Sequence, residues 1–277
     1  MQVSPRYEGP TIISIAGEPG DQLEPLTRQR QRFAELLAGL DADDWNRQSR
    51  CADWTVQDVV AHLVGVNAFW RASVQAGLAG TPTRVLTGFD PATTPELLVA
   101  PMRELGPAEV LDQFVASNDA LLGLLADLDD AGWETAAESP AGHVPIRLIA
   151  AHGLWDSWVH ERDVAFPLGI TPAVEADEVA SALRYAAALS PALALTNGHS
   201  LAGRYAVEAD DPALRCVLEV GESVRLRDED ATANAPCLRG DAAELVEALS
   251  IRGPLPPSAP PEWKCLLEGL ATAFTAV

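Results

Sequence analysis

Amphipathic stretches with the period of an α-helix dominate the first part of the chain. In each of them, apolar residues recur at intervals close to multiples of 3.6 residues. The predicted helices run from about Gln22 to Leu40, from Val56 to beyond Trp70, from Pro107 to Leu128, and from Pro145 onward. Residues 80–107 are rich in proline and predict a connector with at most short helices. Four helices joined in this way predict a four-helix bundle.

Local signals refine two of these helices. Thr55 and Asp58 have the spacing of a capping box, which predicts the start of the second helix. On the first helix, Arg28, Arg30 and Arg32 occupy the faces between the apolar positions, and we expect them to be solvated.

The pattern changes after the linker around Pro167 to Pro172, where helix and strand signals mix. Strand-like alternation, interrupted by a turn at residues 221–223, predicts a hairpin in a small α+β layer. We expect helices and strands at Glu175–Leu189, His199–Ala209, Leu214–Asp228, Asp241–Ser250 and Pro261–Phe274. The predicted organisation is an N-terminal arm at residues 1–20, a helical bundle at 21–169 and an α+β domain at 170–277.

Composition and charge narrow the choice of partners. The 277 residues include 40 acidic and 19 basic ones, for a net charge of −21. Nucleic acids and anionic membranes select for basic patches, so we expect neither as a partner and favour a small-molecule substrate. With no signal peptide and no apolar run near the roughly 18 residues of a membrane span, a cytoplasmic protein is expected. The four cysteines lack CxxC spacing, which predicts free thiols.

Asp156 and His160 are the strongest candidates for chemistry. They are four residues apart, so on a helix they point the same way and suit one metal ion. His62, on the apolar face of the second helix, would complete the set. His152 lies one turn before Asp156 and is a further candidate, although rows at this spacing drift around the axis. The alternative is an ordinary amphipathic helix with a polar side, and a core role for His62.

Asp58 precedes His62 by four residues. We expect it to orient the His62 ring, as carboxylates commonly do for metal-bound imidazoles. Trp54, Trp70, Trp155 and Trp158 lie near the proposed ligands, where helical spacing favours a core role over a pocket wall.

The segments CADWTVQDVVAHL, with His62, and DSWVHERDVAFPLG, with Asp156 and His160, carry a family resemblance. Together with Trp45, they resemble the amino-terminal domain of mycothiol-dependent maleylpyruvate isomerases, which belongs to the DinB-like metalloenzyme superfamily. The resemblance covers about residues 22–169 and more loosely the rest. It implies an all-α DinB-like four-helix bundle followed by a smaller α+β domain of the sterol-carrier-like type.

The resemblance also implies a ligand set. In the family, two histidines and a glutamate hold a divalent metal, usually zinc, and they correspond to His62, His160 and Asp156. The shorter Asp156 departs from the family glutamate, which leaves the identity of the ion open. Asp163 matches an acid that follows the second histidine, and we expect it to support the ligands from behind.

The segment RGDAAELVEALSIRG is similar to a family segment that ends in Leu-x-x-Arg. This similarity implies that Arg252 lies near the mouth of the metal site and helps to bind the substrate or the thiol. The alternative role for Arg252 is a charge partner of the preceding helix dipole.

Three functions follow as hypotheses. The first is an isomerase or S-transferase that uses mycothiol as the thiol cosubstrate and zinc as the metal; no catalytic residue beyond the ligands is assigned. The second is a biosynthetic or hydrolytic metalloenzyme without a thiol, in which the two histidines and one carboxylate could also hold Fe(II). The third is a binding protein that uses the bundle only as a scaffold.

Overall fold

The computed structural model describes residues 3–18, 20–91, 93–231 and 234–273. In these residues the long helices are separated by short helices and loops. The helices are α1 (Leu23–Ala38), α2 (Ala42–Trp45), α3 (Val56–Leu78), α4 (Thr94–Val99), α5 (Pro107–Ala126), α6 (Asp130–Trp133), α7 (Ile146–Ala165), α8 (Ala176–Thr196), α9 (Ala242–Leu249) and α10 (Glu262–Ala273). Two 3-10 turns, Ala100–Glu104 and Phe166–Leu168, follow α4 and α7.

The strands form a hairpin and a mixed sheet. The strands are β1 (Ile13–Ile15), β2 (Ala136–Ser139), β3 (Gly142–Pro145), β4 (Gly203–Ala209), β5 (Leu214–Val220), β6 (Val224–Arg227) and β7 (Cys237–Gly240). Strands β2 and β3 pair with each other, and the sheet has the order β1-β6-β5-β4-β7. The β4-β5-β6 pairings are antiparallel, whereas β1 and β7 join the edges in parallel.

Helix α7 lies at the centre of the helical part. It contacts α1, α3, α8 and the β2–β3 hairpin, and of its residues only Arg147 is not buried. A helix that is covered on all sides carries no solvated polar face, so the ordinary amphipathic interpretation of the Asp156 and His160 segment is wrong. The ionisable side chains of α7 must find their partners inside the protein.

Helix α8 joins the helical part to the sheet. It contacts α7 on one side and α9, α10 and strands of the sheet on others. By length and composition it could cross a membrane, but 72% of its most apolar window is buried in this fold. It therefore serves as a core helix, continuous with the apolar core that includes Trp158 of α7 and Leu218 of β5.

Arg30 and Arg32 of α1 are paired inside the protein and not solvated, contrary to the sequence-based expectation, whereas Arg28 is partly exposed. Arg30 is 2% exposed and donates to Asn118 and the carbonyl of Gly153. Arg32 pairs at 2.9 and 2.8 Å with Glu161 and Glu178, which are both fully buried. Periodicity alone could not reveal these carboxylates, because they come from α7 and α8.

The N-terminal segment is ordered against two other parts of the chain. Its strand β1 pairs with β6, and Val3 N–H donates to the carbonyl of Phe89 at 2.9 Å. The hydroxyl of Tyr7 donates to Glu138, whose carboxylate also accepts from the backbone N–H groups of residues 85 and 86. Residues 136–145 thus form a hairpin that anchors the proline-rich connector. The proposed domain boundaries themselves stay predictions.

The ion pairs of Arg32 predict a large stability effect. Replacing Arg32 with Met leaves two buried carboxylates short of a partner, so the free energy of unfolding should fall by about 2–4 kcal/mol. Urea denaturation followed by circular dichroism measures this change. Arg215→Met is the matched control, because Arg215 pairs with Asp230 at the surface and its loss should cost less than about 1 kcal/mol. Equal losses in the two variants would contradict the assigned role.

Candidate metal centre

His62 of α3 converges with Asp156 and His160 of α7. One potential ligand atom from each of the three lies within 4.8 Å of the others. His160 Nε2 is 3.5 Å from Asp156 Oδ1, and the rings of His62 and His160 meet edge to face with centroids 5.1 Å apart. One helical turn aligns the two α7 side chains, and the packing of α3 on α7 supplies the third.

Two buried atoms at this point lack a hydrogen-bond partner within the described part of the chain. They are Nδ1 of His62 and Oδ2 of Asp156, and Asp156 is only 8% exposed. Buried polar atoms nearly always have a hydrogen-bond partner, so two neighbouring buried atoms without one require an explanation. Two imidazoles and a carboxylate form a typical donor set for zinc and also occur with Fe(II). The residues therefore fit a divalent metal.

Burial and the neighbouring charges together set the pKa values of the three groups. Burial lowers the pKa of His62 to about 4, which keeps this ring neutral and its lone pair available. Burial also acts to lower the pKa of His160, but the carboxylates of Asp156 and Asp163 outweigh it and raise that pKa to about 10. Although burial favours its neutral form, Asp156 has a lowered pKa because the neighbouring histidines stabilise its charge. The site thus holds an ionised carboxylate that a cation can bind.

Asp163 supports His160 from behind. Its Oδ2 lies 3.0 Å from His160 Nδ1, so it fixes the ring with Nε2 towards Asp156. The same carboxylate pairs with Arg50 at 2.9 Å and Arg252 at 3.1 Å. Burial would raise the pKa of Asp163, but the bond to His160 and the two arginines hold it well below its usual range. The contact with His160 Nδ1 is the geometry that the resemblance implies for Asp163, and its role in metal binding stays a prediction.

Asp58 does not orient His62, contrary to the prediction. Its Oδ2 accepts from the backbone N–H of Thr55 at 3.0 Å, and its Oδ1 pairs with Arg103 at 2.8 Å. Among the described residues no hydrogen bond joins it to the His62 ring. The capping box turns this carboxylate towards the start of α3, away from the imidazole one turn later.

His152 belongs to a neighbouring aromatic cluster and does not join the ligands. Its Nδ1 is 2.8 Å from the hydroxyl of Tyr185, and its ring packs against Trp70 and Trp155. Burial lowers the pKa of His152 to about 4. In the described residues, the group of potential ligand atoms from His62, Asp156 and His160 does not include an atom of His152. Side chains at successive i,i+4 positions rotate gradually around the helix axis, which accounts for the separation of His152 from the proposed ligands.

A cavity of about 760 Å³ opens onto the three proposed ligands. Arg252 lines it and bonds through Nε to both oxygens of Asp163. The turn after α9 brings this arginine to the cavity through Ile251, whose φ of 54° is rarely adopted by a β-branched residue. Its guanidinium thus contacts Asp163 at the cavity, and among the described residues it makes no hydrogen bond to the last carbonyls of α9.

Several cavity residues were not predicted as pocket wall from the sequence, and Trp54 and Trp155 line the cavity although a core role was expected for them. Cys51 lies in the wall with Sγ 3.4 Å from Asp163, and Trp54 packs on the His62 ring with centroids 5.0 Å apart. Phe89, Glu96 and Arg103 come from the connector and the two short helical elements that end it. Proximity of Cys51 and Trp54 to the predicted start of α3 was an available signal. The proline-rich connector gave none, because its position depends on contacts with distant residues.

Residues 26–165 match the family model described as mycothiol maleylpyruvate isomerase N-terminal domain. This span covers 140 of 277 residues, just over half. The chain belongs to this family. The match confirms the family that the motifs predicted, and membership of a family named for an isomerase supports the expectation of an enzyme. All three proposed ligands lie within the mycothiol maleylpyruvate isomerase match, whereas Arg252 lies beyond it.

Solved structures with a similar fold come from the same family. The fold is similar to the crystal structure of the mycothiol-dependent maleylpyruvate isomerase, with a TM-score of 0.62, 16% identity, and coverage of 87% of this chain and 95% of that chain. A histidine-to-alanine mutant of that isomerase gives a TM-score of 0.60 at the same identity and coverage. Identity this low shows the fold alone.

Curated relatives match over a shorter stretch. Fifty-six residues are 38% identical to uncharacterized proteins of Mycobacterium tuberculosis, from the strains CDC 1551 / Oshkosh and ATCC 25618 / H37Rv. The stretch covers 19% of this chain and 31% of the relatives. The chain therefore matches about a third of the length of these curated relatives.

The contrast between Asp163 and Asp58 gives a matched test. Asp163→Asn should weaken zinc binding about 10- to 100-fold, because it removes the charge that orients and polarises His160. Asp58→Asn should leave the zinc affinity within about threefold, since the carboxylate of Asp58 contacts Thr55 and Arg103 instead of His62. Competition with a chromophoric chelator measures both affinities. A larger loss in Asp58→Asn than in Asp163→Asn would contradict these assignments.

Proposed function

We propose that the protein is a divalent-metal enzyme, with zinc as the expected ion, that uses a low-molecular-weight thiol such as mycothiol. The reaction is isomerisation, or thiol transfer, on a small electrophilic substrate. The observation that carries the proposal is the convergence of His62, Asp156 and His160 at the cavity, where one buried atom of His62 and one of Asp156 lack a hydrogen-bond partner in the described residues. Family membership supports the choice of thiol and reaction class.

The chain's own residues have distinct roles in this proposal. His62, Asp156 and His160 would hold the metal, which when bound stabilises a thiolate at neutral pH. Asp163 keeps His160 in its orientation through the 3.0 Å contact with Nδ1. Arg252 offers N–H donors to an anionic part of a substrate, and Trp54 and Phe89 provide apolar walls that exclude water.

The finer description of the fold belongs to the same proposal. Helices α1, α3, α5 and α7 contact one another and would correspond to a DinB-like bundle at residues 21–169. The sheet with α8, α9 and α10 would correspond to the sterol-carrier-like α+β domain at 170–277, with residues 1–20 as an arm. Support comes from the similar isomerase structure, which spans 87% of the chain. A cytoplasmic location and the absence of nucleic-acid and membrane partners stay predictions.

A metalloenzyme without a thiol is the second candidate. It is favoured by Asp156, which stands where the family commonly has glutamate and has a shorter reach. Such a site could select a different ion, including Fe(II). The third hypothesis, a binding protein on the same scaffold, lacks a specific observation in its favour.

Metal content tests the ligand assignment. Protein purified without chelators should contain about one zinc per chain by mass spectrometry, since all three donors are present in one cavity. His160→Ala should lose the metal, because it removes the ligand that contacts both acids. His199→Ala is the matched control, as His199 is exposed and lies outside the cavity, and it should retain the metal. A metal-free wild-type protein would contradict the site.

Thiol binding tests the reaction class separately. Mycothiol should raise the melting temperature of the metal-loaded protein, since a ligand of the native state stabilises it. S-methylated mycothiol, which cannot form a thiolate, should have a much smaller effect. Metal-loaded protein that responds to neither compound would favour the second candidate.

A further inference from the structure

Arg30 of α1 is a buried cation that has no acid bound to it. Its side chain is 2% exposed, and among the described residues its hydrogen bonds go to an amide and a backbone carbonyl, not to a carboxylate. Burial lowers the pKa of Arg30 to about 10, so its charge persists at neutral pH. Buried charges in proteins are commonly paired with an opposite charge. An arginine held in this way therefore requires an explanation.

The hydrogen bonds of Arg30 do not supply that explanation. Its Nη1 donates to Asn118 Oδ1 at 3.2 Å, and its Nη2 donates to the carbonyl of Gly153 at 3.3 Å. Asn118 Oδ1 also accepts from Asn67 at 2.8 Å. The carbonyl of Gly153 lies inside α7, where it accepts from the helix itself. Both acceptors would thus keep a partner without Arg30, and an apolar side chain of similar volume would satisfy the fold.

The guanidinium of Arg30 lies beside the proposed ligands of α7. A helical carbonyl points along the axis towards the residue four positions later, so the contact with Gly153 places the guanidinium near the level of Asp156. After burial, Asp156 is the group that most affects the pKa of Arg30. The charge of Arg30 in turn adds to that of the neighbouring histidines in stabilising the ionised form of Asp156. The two opposite charges therefore act on each other without forming an ion pair.

The other arginines near the cavity have acids of their own. These pairs are Arg50 with Asp163 and Glu247, Arg103 with Asp58 and Glu96, and Arg252 with Asp163. Within the part of the chain that the structure describes, Arg30 differs from them because the acid that acts on it, Asp156, is itself a proposed metal ligand. The charge of Arg30 is thus opposed to the one negative charge that the ligand set contributes.

We propose that Arg30 is a positioning residue that acts through Asp156, and that its fixed charge weakens the hold of the ligands on the metal ion and favours an anion, such as a thiolate, beside that ion. Such an effect needs no contact with the substrate, because charges in a protein interior act over several ångströms. Arg30 lowers the affinity for the ion and raises the affinity for the anion. This inference deepens the proposed function and rests on it for the presence of the metal.

Two substitutions remove the charge in different ways. Arg30→Met removes it outright. Asn118→Asp keeps Arg30 and places a carboxylate where Nη1 already donates. Both variants should bind zinc about tenfold more tightly than the wild type, because each takes one positive charge away from a divalent ion. Competition with a chromophoric chelator at neutral pH measures the affinity, and a purely structural role of Arg30 would lower it or leave it unchanged.

Asn118→Ala and Arg162→Met are the matched controls. Asn118→Ala removes the same hydrogen bond but leaves the charge of Arg30 in place. Arg162→Met removes an equally buried arginine, which lies 3.8 Å from Glu161. Both controls should keep the zinc affinity within about threefold of the wild type, since neither changes the charge that faces Asp156. Thermal unfolding followed by circular dichroism verifies that each variant is folded.

Anion binding is a second readout, and a loss of stability alone would not produce the expected pattern. Cobalt(II) replaces zinc in this experiment, and its absorption spectrum reports the binding of azide, a small monovalent anion. Arg30→Met and Asn118→Asp should bind azide about tenfold more weakly than the wild type. The two controls should bind it as the wild type does. Tighter zinc and weaker azide in the same variant identify an effect of charge.

The outcomes separate the inference from the proposed function. Affinities for zinc and azide that fall together, or that stay at the wild-type value in both charge-removing variants, would overturn the role of Arg30 and leave the metal centre intact. A wild-type protein that binds no zinc would overturn the metal centre and the inference with it. Tighter zinc and weaker azide in both variants, with unchanged controls, would support the inference.

Discussion

The structure depends on the partners of the ionisable side chains that the buried helix α7 carries. Helix α7 is covered by α1, α3, α8 and the β2–β3 hairpin, yet it carries His152, Asp156, His160, Glu161, Arg162 and Asp163 in its buried part. Burying such groups is costly unless each has a partner. Glu161 pairs with Arg32, and Asp163 pairs with Arg50 and Arg252. Among the ionisable side chains of α7 in the described residues, only Asp156, beside His62 and His160, has a buried atom without a hydrogen-bond partner.

The unpaired carboxylate oxygen of Asp156 connects the fold to the proposed metal binding. The partners of α7 come from separate parts of the chain, including α1, the loop before α3 and the turn after α9. They place ionised carboxylates and neutral imidazole nitrogen at the bottom of a cavity. The wall of the cavity depends in turn on the N-terminal segment, through Val3, Tyr7 and Glu138, which position the connector. The site is therefore a product of the whole chain, not of the two motifs alone.

Local sequence patterns predicted the helices whose formation depends on residues near in the sequence. Periodicity and caps located α3, α5 and α7, and the spacing of Asp156 and His160 placed both on one side of α7. Long-range partners were beyond such patterns. Arg30 and Arg32 looked solvated because their partners lie on α5, α7 and α8. Asp58 served its capping box instead of His62, and β1 and β7 were missed because parallel edge strands are short and paired with distant segments.

The central proposal is that two imidazoles and one carboxylate of this chain bind a divalent ion. X-ray absorption at the zinc edge of the loaded protein tests it most directly, because it reports the type and distance of the ligands. The claim predicts nitrogen and oxygen ligands at about 2.0–2.2 Å and a loss of the imidazole signal in His62→Ala. A sulfur ligand at about 2.3 Å would contradict it, since it would place the ion on Cys51, His160 and Asp163 instead.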